Sequence, residues 1–225
     1  MKTPLLILAV LMANFAASAE GGTGSAAPGV SLPAPPAAGT MSLEEALAHR
    51  HSVREFVSGA PTLDEVSRLV WAAQGVTGPG HRTAPSAGAT YPLEIYLVAG
   101  DVKNLSAGVY RYRPGQHRLE AVSDGDIRRQ LAEAAIDQKW VGQAAMVVVI
   151  AAVFERTTAR YGKRGERYVH MEAGHAAENL LLEATALGLG ATPVGAFNDS
   201  EVSRLLRLPS GEAPLYLIPV GRKSR

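Results

Sequence analysis

The stretch "RGERYVHMEAGHAAENLLLEATALGLG", residues 164–190, limits the fold of this chain more than any other. Val169, Ala173, Ala176, Leu180 and Ala184 recur at helical spacing, which predicts one long helix from about Gly165 to Leu187 with a buried stripe. The stripe is rich in small residues, so another element can approach closely. Gly188 and Gly190 end the helix. Two apolar runs, "AMVVVIAAVF" before it and "PLYLIPVG" after it, read as strands, the first fully buried.

The remaining segments alternate between helix and strand signals. Ser42-Leu-Glu-Glu45 and Thr62-Leu-Asp-Glu65 are capping boxes, each opening a helix. Leu63, Val66, Leu69 and Val70 form the buried stripe of the second, which the glycine-rich run from Gly75 to Gly80 ends. A loop, "HRTAPSAGATYP", leads into the strand "LEIYLVAG", and "GVYRYRPGQHRLEAV" reads as a β-hairpin about Pro114-Gly115. Residues 124–136 and 199–207 read as helices and "ATPVGAF" as a strand. A hairpin inside a mixture of helices and strands predicts an α+β fold, not a regular βαβ winding.

The chain has 225 residues, and the first forty do not resemble a folded domain. Lys2, an apolar run from Pro4 to about Ala13, and Ala17-Ser18-Ala19 have the layout of a secretory signal peptide over residues 1–19. The apolar run is too short to span a membrane, which needs about 20 residues. Residues 20–40, Gly, Ala and Pro with little charge, read as a tether. Residues 41–225 are then expected to form one domain of an exported, periplasmic protein whose mature form has no membrane span. Lys and Arg number 22 against 21 Asp and Glu, so no global field points to nucleic acid. The absence of Cys removes thiolate nucleophiles, iron–sulfur clusters and Cys-type zinc sites.

Four features could carry chemistry. In "AHRHSVREF", Arg50, His51, Ser52 and Arg54 crowd together. An extended run after His49 sends positions 50, 52 and 54 to one side, where two guanidiniums and a hydroxyl suit a phosphate. The spacing fits equally a solvated surface with local salt bridges. Around Ser86, Ala87 and Gly88, small residues let backbone approach a flat ligand; a plain loop before a strand is the other reading. Gly195-Ala196, inside the expected strand, could turn amides toward a ligand, although packing glycines explain it as well. Glu172 and His175 form an E-x-x-H that lacks the second copy a di-iron site needs, so no metal is expected.

The order of these blocks along the chain is more specific than any one of them. "HRHSVREF", "RTAPSAGATYPLEIYLV", "GVYRYRPGQHRLE", "RYVHMEAGHAAENLLLEATALGLGATPVGAF" and "LYLIPVGRK" together resemble the nitroreductase-like flavoproteins, nearest the SagB-type branch that includes azoline-oxidising dehydrogenases. That resemblance covers residues 41–225 and implies a mixed central sheet flanked by helices, and an FMN-dependent oxidoreductase that is a homodimer. It implies that Arg50, His51, Ser52 and Arg54 hold the FMN phosphate, with Arg222 and Lys223 closing the cradle. Ser86, Ala87 and Gly88 match the positions lining the flavin ring, and Gly195-Ala196 the stretch whose amide faces flavin N5. Where many members carry Asn for the pyrimidine edge, this chain has Ala89. The branch's Lys-Tyr pair is matched by Arg160-Tyr161; Arg is a poor base, which leaves Tyr161 as the candidate catalytic residue. Hydride would pass through flavin N5 to or from a small molecule or peptide, with NAD(P)H the habitual donor. A flavin-binding protein of low turnover, for storage or sensing, is the alternative.

Overall fold

The computed structural model describes residues 29–224; the expected signal peptide and the start of the tether lie outside them. In chain order the elements are β1 (Gly29–Ser31), α1 (Leu43–His49), α2 (Leu63–Gln74), β2 (Val76–Gly78), β3 (His81–Arg82), β4 (Leu93–Ala99), β5 (Gly108–Arg113), β6 (Arg118–Asp124), α3 (Arg128–Ala134), α4 (Lys139–Gln143), β7 (Met146–Val153), α5 (Glu155–Tyr161), α6 (Arg164–Ala186), β8 (Leu189–Ala191), α7 (Asp199–Leu206) and β9 (Glu212–Arg222).

Strands β1-β6-β5-β4-β7-β9-β8 form one sheet, and β2-β3 a separate small ribbon. Every junction in the large sheet is antiparallel, so the mixing expected of it lies in non-sequential strand order and not in strand direction. Both faces are covered. Leu93, Ile95, Leu97, Met146, Val148 and Ile150 pack on the α2 and α6 side, whereas Tyr96, Val98, Val147 and Val149 face α3, α4 and α7. Neighbours in one strand thus go to opposite layers, the period-2 rule of a pleated strand. Double coverage explains why β4 and β7 read as continuous apolar runs. The buried stripe of α6 carries the residues expected from its spacing, and both capping boxes form as written.

The tether reading is corrected at its C-terminal part. Gly29–Ser31 pairs with β6 as an edge strand, Leu32 is buried in the core, and the Leu32 N–H donates to the His117 carbonyl. The Pro33 carbonyl accepts from the Ser67 hydroxyl and lies 2.9 Å from His117 Nε2. Alternation of Val30 and Leu32 with polar neighbours suffices for an edge strand; low charge and high proline content had masked it. The expected strand "ATPVGAF" is also shorter. β8 ends at Ala191, because Pro193 has no N–H to continue a ladder, and only Val194 pairs again, with Leu217.

Candidate active site

Helix α1 ends at His49, and Arg50 is already extended, with φ −62° and ψ 123°. The following segment lies along the ends of β8 and β9. Val53 N–H donates to the Ala191 carbonyl at 3.0 Å, and Val57 N–H to the Arg222 carbonyl at 2.9 Å. Two glycines make this approach possible. A Cβ at Gly190 would lie 2.6 Å from Val53 Cγ1 and 3.1 Å from Lys223 Cβ, and one at Gly221 would lie 3.0 Å from Phe56 Cδ1. With Val53 and Phe56 turned inward, Ser52 and Arg54 face outward. The fold therefore brings the Arg50–Arg54 segment together with Arg222-Lys223, residues far apart in sequence.

Their charges are not equally available. Arg50 Nε lies 3.2 Å from Glu178 on α6, and Arg222 donates from both terminal nitrogens to Glu65 at 2.7 Å. Arg54 stacks over Trp140 at 5.7 Å, and neither it nor Lys223 has an acidic partner among the described residues. His51 lies with Nδ1 2.9 Å from its neighbour's carbonyl, that of His49. Glu65 serves twice, closing the α2 capping box and clamping Arg222. Burial raises its pKa, but the Arg222 and Thr62 hydrogen bonds outweigh burial and hold the carboxyl below its usual range.

The second cluster is built on the loop before β4. Gly88, Ala89 and Tyr91 all have positive φ, folding Ala87–Ala89 into a single tight turn. Ser86 Oγ accepts from Tyr91 N–H at 2.9 Å, and the Ser86 side chain helps to pull down the pKa of the buried Glu172 on α6. Ser86 Oγ thus already has a backbone donor within the protein. The N–H groups of Ala87 and Gly88, by contrast, have no protein acceptor among the described residues. Arg160 donates to the Gly88 carbonyl at 3.1 Å, and a Cβ at Gly88 would lie 2.5 Å from the Tyr161 hydroxyl oxygen. Glycine suits both the positive φ and the narrow space under these two side chains. Arg160-Tyr161, at the end of α5, accordingly forms a wall against this turn.

Behind the turn runs a polar network that sequence reasoning missed. Arg82 donates to Gln74 at 2.9 Å, and Gln74 to Glu172 at 3.5 Å. Burial pushes the Glu172 carboxyl above its usual range, against the opposing pull of Ser86, Gln74 and Arg82. His175 is exposed, so the E-x-x-H does not converge. Its helical spacing alone could not reveal that one member faces the core.

Gly195-Ala196 lies in an exposed connection beyond the strand. Gln138 Nε2 donates to the Ala196 carbonyl at 2.8 Å, and Asn198 N–H to the Ala134 carbonyl at 2.8 Å. These bonds suspend the connection from the α3–α4 turn. The N–H groups of Gly195 and Ala196 have no protein acceptor among the described residues. Both clusters touch α6, at Glu172 and at Glu178, six residues or about 9 Å apart along the helix axis.

Residues 47–222 match the Nitroreductase family. The nitroreductase-like protein MJ1384 of Methanocaldococcus jannaschii is 50% identical over 184 residues, which span 81% of this chain and 92% of that protein. The microcin B17-processing protein McbC of Escherichia coli is 30% identical over 152 residues, 64% of this chain and 55% of McbC. Among solved structures, a nitroreductase-like protein from Ralstonia eutropha superposes with a TM-score of 0.77 at 31% identity, covering 90% of this chain and 92% of that one. With the sheet, the long helix and these relatives in agreement, the chain belongs to the nitroreductase family and is an oxidoreductase.

Proposed function

We propose that this oxidoreductase depends on FMN, bound with its phosphate between the Arg50–Arg54 segment and Lys223 and its ring against the Ala87-Gly88 turn. The observation that carries the reading is the convergence at Gly190, where Val53 and Lys223 meet over a position only glycine can fill. The groups present fit FMN. Arg54 and Lys223 are cations without carboxylate partners among the described residues, and Ser52 adds an outward hydroxyl. The unclaimed amides of Ala87, Gly88, Gly195 and Ala196 suit the carbonyl and nitrogen edges of a flavin ring. Bound FMN would supply hydride transfer at N5.

The chain's own residues then have separable tasks. The cradle anchors the cofactor, and the Ala87-Gly88 turn sets its depth. Gln138 fixes the connection carrying the Gly195 and Ala196 amides. Tyr161 holds a hydroxyl at the edge of the same turn, where it can pass a proton to or from the reactant. The reactant is a small molecule or a peptide, the latter in line with the relationship to McbC, and NAD(P)H is the proposed donor. Changing Tyr161 to Phe should leave FMN affinity within about twofold and lower turnover about 100-fold or more, the usual range for losing one acid–base group. Parallel flavin titration and steady-state kinetics check this, and lost affinity would place Tyr161 in the binding site instead.

Export is part of the same proposal. It rests on the signal-peptide layout of residues 1–19 and the lack of Cys; among the described residues no helix is long and apolar enough to cross a membrane. A homodimer is proposed as well, since Leu43 and Leu47 on α1 and Met171 on α6 stay exposed. The cofactor assignment is tested by titrating the protein with FMN and with riboflavin, which lacks the phosphate. FMN should bind at least about 100-fold tighter, as two charge-assisted contacts to the phosphate imply. Equal affinities would remove the cradle.

A further inference from the structure

The α5–α6 turn concentrates positive charge beside the candidate active site. Between residues 155 and 168 five cations stand against two acids, an excess of three in a chain of net charge +1. Outside this turn, Arg68, Arg111, Arg128 and Arg222 each hold a carboxylate. Arg160, Lys163, Arg164 and Arg167 are exposed and have no acidic partner among the described residues, although Glu155 and Glu166 lie on the same two helices.

Two of these cations are held in place without being neutralised. Tyr161 and Tyr168 meet edge to face at 5.3 Å. Arg160 lies over Tyr161 at 5.5 Å and Arg164 over Tyr168 at 5.8 Å, so cation, ring, ring and cation form one stacked row. Arg160 also donates to the Gly88 carbonyl, which fixes one end of the row to the turn beside the site. Stacked guanidiniums keep their in-plane N–H donors free for an oxyanion. Unpaired charge of one sign at a cleft raises the local concentration of the opposite sign and speeds its arrival.

We infer that this row is a recognition surface for an anionic group, carboxylate or phosphate, carried by the molecule that exchanges electrons at the site. The placement next to the chemistry rests on the cofactor reading above; the anion surface itself does not.

The test compares 4-nitrobenzoate, 4-nitrophenyl phosphate and neutral 4-nitrobenzamide as acceptors for FMN-loaded protein reduced beforehand with dithionite. At low salt the second-order reoxidation rate should be about tenfold higher for an anionic acceptor, and the more favoured anion names the group. High salt should erase the difference. The Lys163→Gln/Arg164→Gln variant should lose it too, with the 4-nitrobenzamide rate unchanged. Calorimetric binding of tripolyphosphate, measured with and without FMN, is independent of turnover. Binding that the double variant weakens about tenfold supports the surface even if the protein takes up no FMN, in which case the cofactor reading alone fails. Equal rates for the three acceptors, with tripolyphosphate binding unaltered by the double variant, would overturn the inference.

Discussion

Replacing Arg54 and Lys223 together with glutamine is expected to weaken FMN binding about 100-fold and to leave the melting temperature of the FMN-free protein unchanged. A charge-assisted hydrogen bond is worth roughly 1.5–3 kcal/mol, about tenfold or more in affinity. Both side chains reach solvent, so the lower end applies to each. Neither has an acidic partner to strand among the described residues, which is why the fold should be indifferent. Arg50 and Arg222 differ, because removing them leaves Glu178 and Glu65 without their partners. Their variants would mix lost affinity with altered stability. Fluorescence titration with FMN, beside thermal melts of the unliganded variant, separates the two effects. Unchanged affinity in the double variant would move the phosphate elsewhere.

A chain beginning at Met41 is expected to melt roughly 6–12 °C below one beginning at Glu20. The shorter chain lacks β1 and its ladder with β6. It also lacks Leu32, whose burial is worth about 1.5–3 kcal/mol. Ser67, fully buried, loses its acceptor at Pro33, and the Tyr112–His117 pair beside it becomes exposed. A total near 3 kcal/mol corresponds to that shift in a domain of this size. Calorimetry of the two chains decides the matter. Equal melting temperatures would mean that the segment before Met41 is the plain tether its composition suggests.

That segment illustrates where the sequence was legible and where it was not. Periodicity found α6, β4 and β7 because each buries a regular face, and the capping boxes at Ser42 and Thr62 marked helix starts to the residue. Edge strand β1 escaped because three residues at a sheet margin need no strong pattern and their proline-rich context resembles a linker. At the candidate site, the resemblance supplied which segments meet, and local spacing did not. The partners of the charged groups were the hardest to foresee. Arg50 was open to a local salt bridge by its spacing, yet it lies on Glu178, more than a hundred residues away in sequence. Glu65 reads as a capping residue and also clamps Arg222. Ser86 Oγ, a natural ligand contact on paper, already accepts from Tyr91 N–H, and the unclaimed amides of Ala87 and Gly88 beside it are backbone donors that no side-chain motif encodes.

The visible absorption spectrum of the purified chain from Glu20, followed by denaturation and mass analysis of whatever is released, bears most directly on the central claim. A flavin spectrum with FMN as the released species is the predicted result. A colourless protein that also fails to take up added FMN would contradict it.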